Sequence, residues 1–380
     1  KLNPEGKIVW AKTWGAKRDD VATEVAVRGD SIVVVGQFLD EIKIGEFTKK
    51  SAGSEDLFVV AFDTAGEAQW LWTAGGIDSD GANTVAATAD GGWIVGGSYT
   101  DGFDIGTTHL KSKGRTDGVL IKLKAGGDTE WVKSFGGRYD DTVLHVAVDG
   151  QNSIIAQGHF RDTADWGGKP LTAGGGSDND ILLAKYDANG DHVWSQGFGN
   201  AFNDVAGGVG VDPSGHIIMV GSFDKTVTFG KGDTHTALGE SDIYVARFTP
   251  EGKLAWAKTY GGDREDQGFG IAVDKAGNSV ATGLFAGTVD FGKGAVSSNT
   301  INKDVFVIKH DANGAVVWVK TFGDKDHDHG RAAAMDDKGN PTVAGTFRFK
   351  LDVVTPPLES VRAEGDRIPK VDTYVLHLER

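Results

Sequence analysis

Apolar and polar residues alternate with a period of two in many short stretches of this chain, and glycine- and aspartate-containing turns separate the stretches. Four of them follow one another as FGIAVD (269–274), SVATGLF (279–285), DVFVIKHD (304–311) and VVWVKTFG (316–323). A period of two predicts half-buried strands. The glycine turn at 311–314 predicts a hairpin between the last two strands. The pattern therefore indicates an all-β chain.

This four-strand pattern recurs six times. Each repeat contains a glycine followed four residues later by tryptophan, and the successive tryptophans are 60, 61, 63, 62 and 62 residues apart: Trp10, Trp70, Trp131, Trp194, Trp256 and Trp318. One aspartate precedes each first strand: Asp20, Asp80, Asp141, Asp204, Asp266 and Asp328. A second aspartate opens each third strand: Asp56, Asp117, Asp180, Asp242, Asp304 and Asp372. Recurring four-stranded units predict propeller blades, which bury their faces against their neighbours.

The sequence thus predicts a single domain over residues 1–380, a six-bladed β-propeller with four-stranded antiparallel blades. The chain begins in a fourth strand, at 8–15, and ends at 380 in a third strand. We expect the N-terminal strand 8–15 to join the last blade and close the ring, because this pairing would remove an exposed strand edge.

Two stretches resemble a known repeat family. The run FTPEGKLAWAKTYGG (248–262) and the run FAGTVDFG (285–292) are similar to the SBBP-type bacterial β-propeller repeat. This resemblance covers essentially the whole chain and implies a secreted or cell-surface bacterial protein of a family mostly without assigned activity. The stretch DTAGEAQW (63–70) has a weaker similarity to quinoprotein propellers, which implies a quinoprotein-like oxidoreductase.

Composition narrows the classes of partner. The chain has 54 acidic and 39 basic residues and a formal net charge of −15, so we expect no nucleic-acid binding. It has no cysteine, which excludes disulfides and thiolate chemistry. No apolar run approaches the ~20 residues of a membrane span, so we expect no membrane insertion by this segment. The chain starts at Lys1 without methionine, which suggests a removed leader and an extracellular, cell-surface or periplasmic location.

The carboxylates include candidate metal ligands. Propeller topology places both aspartate sets on one face, where some carboxylates could bind Ca²⁺; no other cofactor is expected. The alternative is that each aspartate accepts backbone N–H groups in its turn. A second candidate is the run 324–329, which alternates aspartate and histidine, although alternate residues of an extended chain face opposite sides. The candidate metal ligands are Asp20, Asp80, Asp141, Asp204, Asp266, Asp328, Asp326 and His327.

Other polar residues are candidate binding residues. Glu24, Thr84 and His145 occupy equivalent inner-strand positions where later repeats have glycine or alanine, and Arg331 lies nearby in the last repeat. They could line a pocket at the central channel, or they could form a satisfied polar network. The long connection 348–371 of the last repeat adds Arg362 and Arg367, since a single insertion on a repeat scaffold often binds a partner.

The sequence favours a non-enzymatic secreted or cell-surface module that presents one face to a protein or glycan partner. Two alternatives stay open. One is a metal-dependent hydrolase or lactonase at the channel mouth, with an ion near Glu24 and His145. The other is the quinoprotein-like oxidoreductase. No nucleophile elbow supports serine hydrolase chemistry, and the sequence does not indicate an oligomeric state.

Overall fold

The computed structural model describes residues 1–175, 178–298, 302–353, 357–360 and 371–378. Within these ranges every regular element is a β-strand, and six antiparallel sheets follow one another along the chain. These sheets form a six-bladed β-propeller, which confirms the predicted fold class. The chain divides into two compact units: unit 1 comprises Lys1–Thr172 and Leu183–Ser195, and unit 2 comprises Ala173–Leu182 and Gln196–Arg380. The prediction of a single domain stays a prediction.

The first three blades and their side hairpins together contain eighteen strands. In chain order these are β1 (Asp20–Arg28), β2 (Ser31–Phe38), β3 (Glu41–Ile44), β4 (Phe47–Lys50), β5 (Asp56–Phe62), β6 (Ala68–Ala74), β7 (Gly81–Ala87), β8 (Trp93–Thr100), β9 (Asp104–Ile105), β10 (Thr108–His109), β11 (Thr116–Leu123), β12 (Thr129–Gly137), β13 (Thr142–Val148), β14 (Ile154–Phe160), β15 (Thr163–Asp165), β16 (Leu171–Thr172), β17 (Asp180–Tyr186) and β18 (His192–Phe198). The blade orders are β1-β2-β5-β6, β7-β8-β11-β12 and β13-β14-β17-β18.

The last three sheets contain the remaining strands. These are β19 (Val205–Val211), β20 (Ile217–Gly230), β21 (Asp233–Phe248), β22 (Leu254–Tyr260), β23 (Gln267–Val273), β24 (Ser279–Ala286), β25 (Thr288–Asp290), β26 (Ala295–Ser297), β27 (Lys303–His310), β28 (Val316–Phe322), β29 (His329–Met335), β30 (Pro341–Phe347), β31 (Lys350–Leu351), β32 (Leu358–Glu359) and β33 (Asp372–His377). The blade orders are β19-β20-β21-β22, β23-β24-β27-β28 and β29-β30-β33. The second and third strands of the blades supply most of the core, and some of them, such as β5 and β24, are buried along their whole length.

A β-bulge occurs at the same position of the innermost strand in every blade. The register shifts between Ala22 and Glu24, Ala82 and Thr84, Val143 and His145, Ala206 and Gly208, Gly268 and Gly270, and Gly330 and Ala332. A bulge leaves one extra residue unpaired and bends the strand. We call Thr23, Asn83, Leu144, Gly207, Phe269 and Arg331 the bulge residues.

The recurring glycine and tryptophan join consecutive repeats. The Trp70 indole Nε1 donates to the Ala125 carbonyl at 3.1 Å, in the turn of the next repeat. Gly127 in that turn has φ +89°, and a Cβ there would lie 2.8 Å from the Trp70 ring. Trp256 donates in the same way to the Ala312 carbonyl at 3.2 Å. Glycine is therefore required both by the left-handed backbone and by the ring that covers it.

A small hairpin between the second and third strands of a blade packs onto the preceding blade. Strand β15 extends the second sheet by pairing with the end of β12, where Gly137 is opposite Ala164. A Cβ at Gly137 would lie 2.1 Å from the Thr163 carbonyl oxygen. In unit 2, a Cβ at Gly262 would lie 2.4 Å from the Thr288 carbonyl oxygen of strand β25. Where the outer strand is followed by two glycines, as at Gly137 and Gly262, the second glycine thus admits the backbone of the next hairpin.

The strand predicted over residues 8–15 is not formed. This segment contains a single bridge residue, Ile8, which pairs with Leu2, and the sheet β29-β30-β33 has three strands. The strand itself is thus absent from this segment, and the prediction that segment 8–15 completes the last blade stays a prediction. The segment still makes the contact of an outer strand to the next repeat, because the Trp10 indole donates to the Thr64 carbonyl at 3.0 Å, as Trp70 does to Ala125. The Lys1 amino group donates to the Trp10 carbonyl at 2.7 Å.

Candidate functional site

The first aspartate set is built into the backbone. In all six repeats Oδ2 accepts the N–H of the residue four positions earlier, at 2.7–3.0 Å, for Asp20, Asp80, Asp141, Asp204, Asp266 and Asp328. In the last five, Oδ1 also accepts the N–H of the residue twenty positions later. Each of these five carboxylates therefore ties the end of one blade to the second strand of the next. This is the structural alternative that the sequence left open.

The second aspartate set lies beside the first. The N–H of Asp204 donates to the Asn179 carbonyl at 2.8 Å, and Asn179 precedes Asp180. A Cβ on Gly199 would lie 2.6 Å from both Asp180 Oδ1 and Asp204 Oδ2, so these oxygens converge on one point. The same backbone bond recurs in the other repeats. We call Asp56/Asp80, Asp117/Asp141, Asp180/Asp204, Asp242/Asp266 and Asp304/Asp328 the carboxyl pairs.

Burial sets the protonation of the carboxyl pairs. It raises the pKa of Asp204 to about 8, helped by the neighbouring charge of Asp180. Burial likewise raises the pKa values of Asp141, Asp266 and Asp328 to about 7 and that of Asp80 to about 6, and in each the paired aspartate adds to the rise. A buried carboxylate is destabilised by lost hydration and by a second negative charge.

The run 324–329 does not bring its side chains together. Asp328 is fully buried and bound to backbone N–H groups. Asp326 accepts from the Arg348 guanidinium at 3.2 Å. His327 Nδ1 accepts the Lys303 N–H at 3.4 Å, and His329 contacts Arg331. The four side chains have different partners, as expected for an extended stretch.

Glu24 and Thr84 link inner strands within unit 1. Glu24 Oε2 accepts the Val85 N–H at 2.9 Å, and Thr84 Oγ1 accepts the Val146 N–H at 3.0 Å. The two side chains also hydrogen-bond to each other, while burial raises the pKa of Glu24. The bulge residues Thr23 and Asn83 add parallel links, donating to the Ala82 and Val143 carbonyls at 2.7 and 2.9 Å. The result is a satisfied polar network between strands β1, β7 and β13.

His145 lies next in this series, opposite Gln157 on strand β14. Burial, together with the nearby charges of His145 and Arg161, lowers the pKa of His159 to about 4. His159 is therefore neutral near pH 7. The structure places His145 among polar neighbours, and its predicted role in binding stays a prediction.

In unit 2 the innermost strands approach more closely. A Cβ on Gly207 would lie 2.0 Å from the Gly268 carbonyl oxygen, and one on Gly270 would lie 2.8 Å from Ala332 Cα. The Arg331 guanidinium lies 4.8 Å from the centre of the Phe269 ring, a cation–π distance. The other predicted arginines, Arg362 and Arg367, lie outside the described residues.

A recurring buried cation was missed in the sequence. The fifth residue after the second aspartate carries positive charge in four consecutive repeats: Lys122, Lys185, Arg247 and Lys309. Lys122 Nζ lies 2.6 Å from Asp90 and 3.4 Å from Glu130, and Arg247 lies 2.6 Å from Asp212. The sequence did show this pattern, because the equivalent position in the other two repeats holds Ala61 and His377 and the four repeats between them all hold lysine or arginine.

Within the described ranges no three histidine or acidic side chains are grouped so that they could hold a metal ion. The metal-binding prediction stays untested. No helix among the described residues has the length and apolarity to cross a membrane.

No family model matches the chain. It is similar to an uncharacterized WD repeat-containing protein, L264, of Acanthamoeba polyphaga mimivirus, at 22% identity over 431 residues that cover 91% of this chain and 31% of that protein. It is also similar to the regulatory protein FlaEY of Caulobacter vibrioides, at 24% identity over 164 residues, 41% of this chain and 17% of FlaEY. The chain thus spans less than a third of either relative. Among solved structures, the Pan2 WD40 domain of Neurospora crassa matches with a TM-score of 0.46 and 10% identity, covering 87% of this chain and 75% of that one.

Proposed function

We propose that this chain is a non-enzymatic binding module, secreted or displayed at a cell surface, that holds a protein or glycan partner on the hairpins between its second and third strands. The observation that carries the proposal is the two-sided character of these hairpins. Their inner sides are buried, as at Ile42 and Ile44 of strand β3 and at Val289 of strand β25. Their outer sides differ from blade to blade.

The outward cross-strand pairs show this variation. The first hairpin has exposed Lys43 opposite Thr48, and the second pairs Asp104 with His109 at 2.7 Å. The third, fourth and fifth hairpins carry hydroxyl pairs, which are Thr163/Thr172, Thr228/Thr234 and Thr288/Ser297. A constant scaffold with variable exposed side chains is the arrangement that recognition surfaces use.

The hydrolase alternative has less support. It requires Glu24 and His145 to hold an ion, but the Glu24 carboxylate accepts the Val85 N–H and contacts Thr84. The SBBP-type resemblance supports the secreted location. The quinoprotein-like alternative rests on the 63–70 motif alone, and its tryptophan, Trp70, donates to Ala125 of the next repeat.

The test compares hairpin variants on immobilised protein. A glycan array and a panel of purified envelope proteins are screened with the wild type, and each binder is retested with K43S and with D104S/H109S. The control is K275S/K338S, which removes two exposed lysines from turns. Binding that is lost in a hairpin variant and kept in the control supports the proposal. Binding that all variants retain, or a metal-dependent turnover activity, would overturn it.

A further inference from the structure

The carboxyl pairs place two acidic groups together at five blade junctions, in a setting poor in positive charge. Their side chains are almost fully buried, with Asp117, Asp141, Asp204 and Asp266 0% exposed and Asp180 3%. Asp180 Oδ2 accepts one N–H, from Gly174 at 2.9 Å, whereas its buried Oδ1 has no hydrogen-bond partner. The Oδ1 atoms of Asp56 and Asp117 are left in the same state.

Buried oxygens without a donor are costly, and two buried like charges add to the cost. In the pair Asp180/Asp204 the unpartnered Oδ1 and the partner's Oδ2 lie within 2.6 Å of the same point. One proton between the two carboxyls would remove a charge and supply the missing donor. A multivalent cation fits less well, because backbone N–H groups already point at both oxygens of Asp204.

We propose that four of the carboxyl pairs are proton sites, each holding a shared proton near neutral pH, and that loss of these protons in alkaline solution destabilises the folded chain. These pairs are Asp117/Asp141, Asp180/Asp204, Asp242/Asp266 and Asp304/Asp328. Alkaline solution would then leave two negative charges side by side in each of these pairs.

The charged groups around the pairs are mostly acidic. Asp178 faces Asp180, and Asp224 faces Asp204. The charged neighbours of Asp224 are Lys225, Glu240 and Glu265. Asp263 faces Asp266. Asp78 faces Asp80, Asp140 faces Asp141, Lys113 faces Asp117 and Asp324 faces Asp328. Tyr99 lies close to Asp80 and Asp117, and Tyr374 lies close to Asp328.

The direction of the pH effect follows from linkage. The folded pKa of Asp204, about 8, is above the ordinary value of 3.8, so the folded chain binds this proton more tightly than the unfolded chain. The resulting stability is complete below the ordinary pKa and is lost as the pH rises through 8. Across that window the unfolding constant should rise about tenfold per pH unit for each such proton.

The experiment follows the ¹³C carboxyl resonance of Asp204 by NMR from pH 4 to pH 9 in the wild type, D180N and the control D337N, which removes an exposed aspartate. We expect a midpoint near 8 in the wild type and the control. In D180N we expect a drop of about two pH units, because an uncharged amide can donate to Asp204. Urea unfolding over the same range should become less pH-dependent in D180N only.

If D180N does not fold, the same titration on D242N reports Asp266, whose wild-type midpoint should lie near 7. A wild-type Asp204 midpoint in the ordinary aspartate range would overturn the proposal. An unchanged Asp204 midpoint in D180N would do so too. The third contrary outcome is stoichiometric Ca²⁺ binding, seen by calorimetry, that stabilises the wild type at alkaline pH and is lost in D180N.

Discussion

Trp166 is the residue by which the hairpin of strands β15 and β16 packs onto the second blade. Its side chain is 0% exposed, stacks on Phe135 with ring centroids 5.8 Å apart, and lies 3.1 Å from the Cβ position of Gly118. Replacing a buried tryptophan by alanine removes these contacts and leaves a cavity, which costs about 3–5 kcal/mol. W166A should therefore lower the free energy of unfolding by about that amount.

W166F separates ring packing from polarity. The buried indole Nε1 of Trp166 has no hydrogen-bond partner, and an unsatisfied buried donor costs about 1–3 kcal/mol. Phenylalanine keeps most of the ring and removes that donor, so we expect W166F to lie within about 1 kcal/mol of the wild type.

Urea denaturation followed by far-UV circular dichroism measures both variants. The control is I77A, because Ile77 is 77% exposed in the same unit and its truncation should change stability by less than about 0.5 kcal/mol. If W166A cost no more than I77A, or if W166F cost as much as W166A, the hairpin would not hold the blades together through this ring.

Two further substitutions test other contacts. G207A should abolish folding or cause severe loss of circular dichroism, because a Cβ at Gly207 would lie 2.0 Å from a backbone oxygen. The control G126A has no atom within 4 Å of its new Cβ and should behave as the wild type. Equal behaviour of the two variants would contradict the close approach at Gly207. K122M should lower the free energy of unfolding at pH 7 by about 1–3 kcal/mol, and K275M, at an exposed pair, by less than about 1 kcal/mol. The Lys122 hydrogen bond holds the pKa of Asp90 at about 2, so the K122M loss should shrink as the pH falls from 3.8 through 2; a pH-independent loss would show that packing alone accounts for it.

Much of the fold could be predicted from local patterns in the sequence. The alternation, the glycine turns and the spacing of Trp10 to Trp318 predicted the strands and the blade number. The partner of a side hairpin could not be read, because the pairing of strand β15 with β12 is non-local and leaves no period of its own. Segment 8–15 carries the outer-strand markers, and its Trp10 bonds to Thr64 as Trp70 bonds to Ala125, yet the segment has a single bridge residue, Ile8.

The sequence predicted which residues belong to the candidate site better than it predicted what those residues do. The sequence left open a structural use of Asp80 and its equivalents, and the backbone N–H groups that they accept agree with that use. Their raised pKa values depend on burial, which one sequence position does not reveal. The function of Glu24 depends on a bulge that aligns it with Val85 of the next blade. No sequence pattern marks that bulge, because its residues range from glycine to arginine.

The bulge residues also limit which repeats can be exchanged by recombination. Thr23 and Asn83 carry side chains that reach the next strand, whereas Gly207 faces a carbonyl oxygen at a distance that no side chain tolerates. Recombination that exchanges one complete repeat preserves the tryptophan and aspartate contacts, whichever position of the repeat the exchange begins at. It preserves the inner contacts only when the incoming repeat has the bulge residue that its new neighbour can accommodate. Copies of this repeat are therefore homologous without being interchangeable.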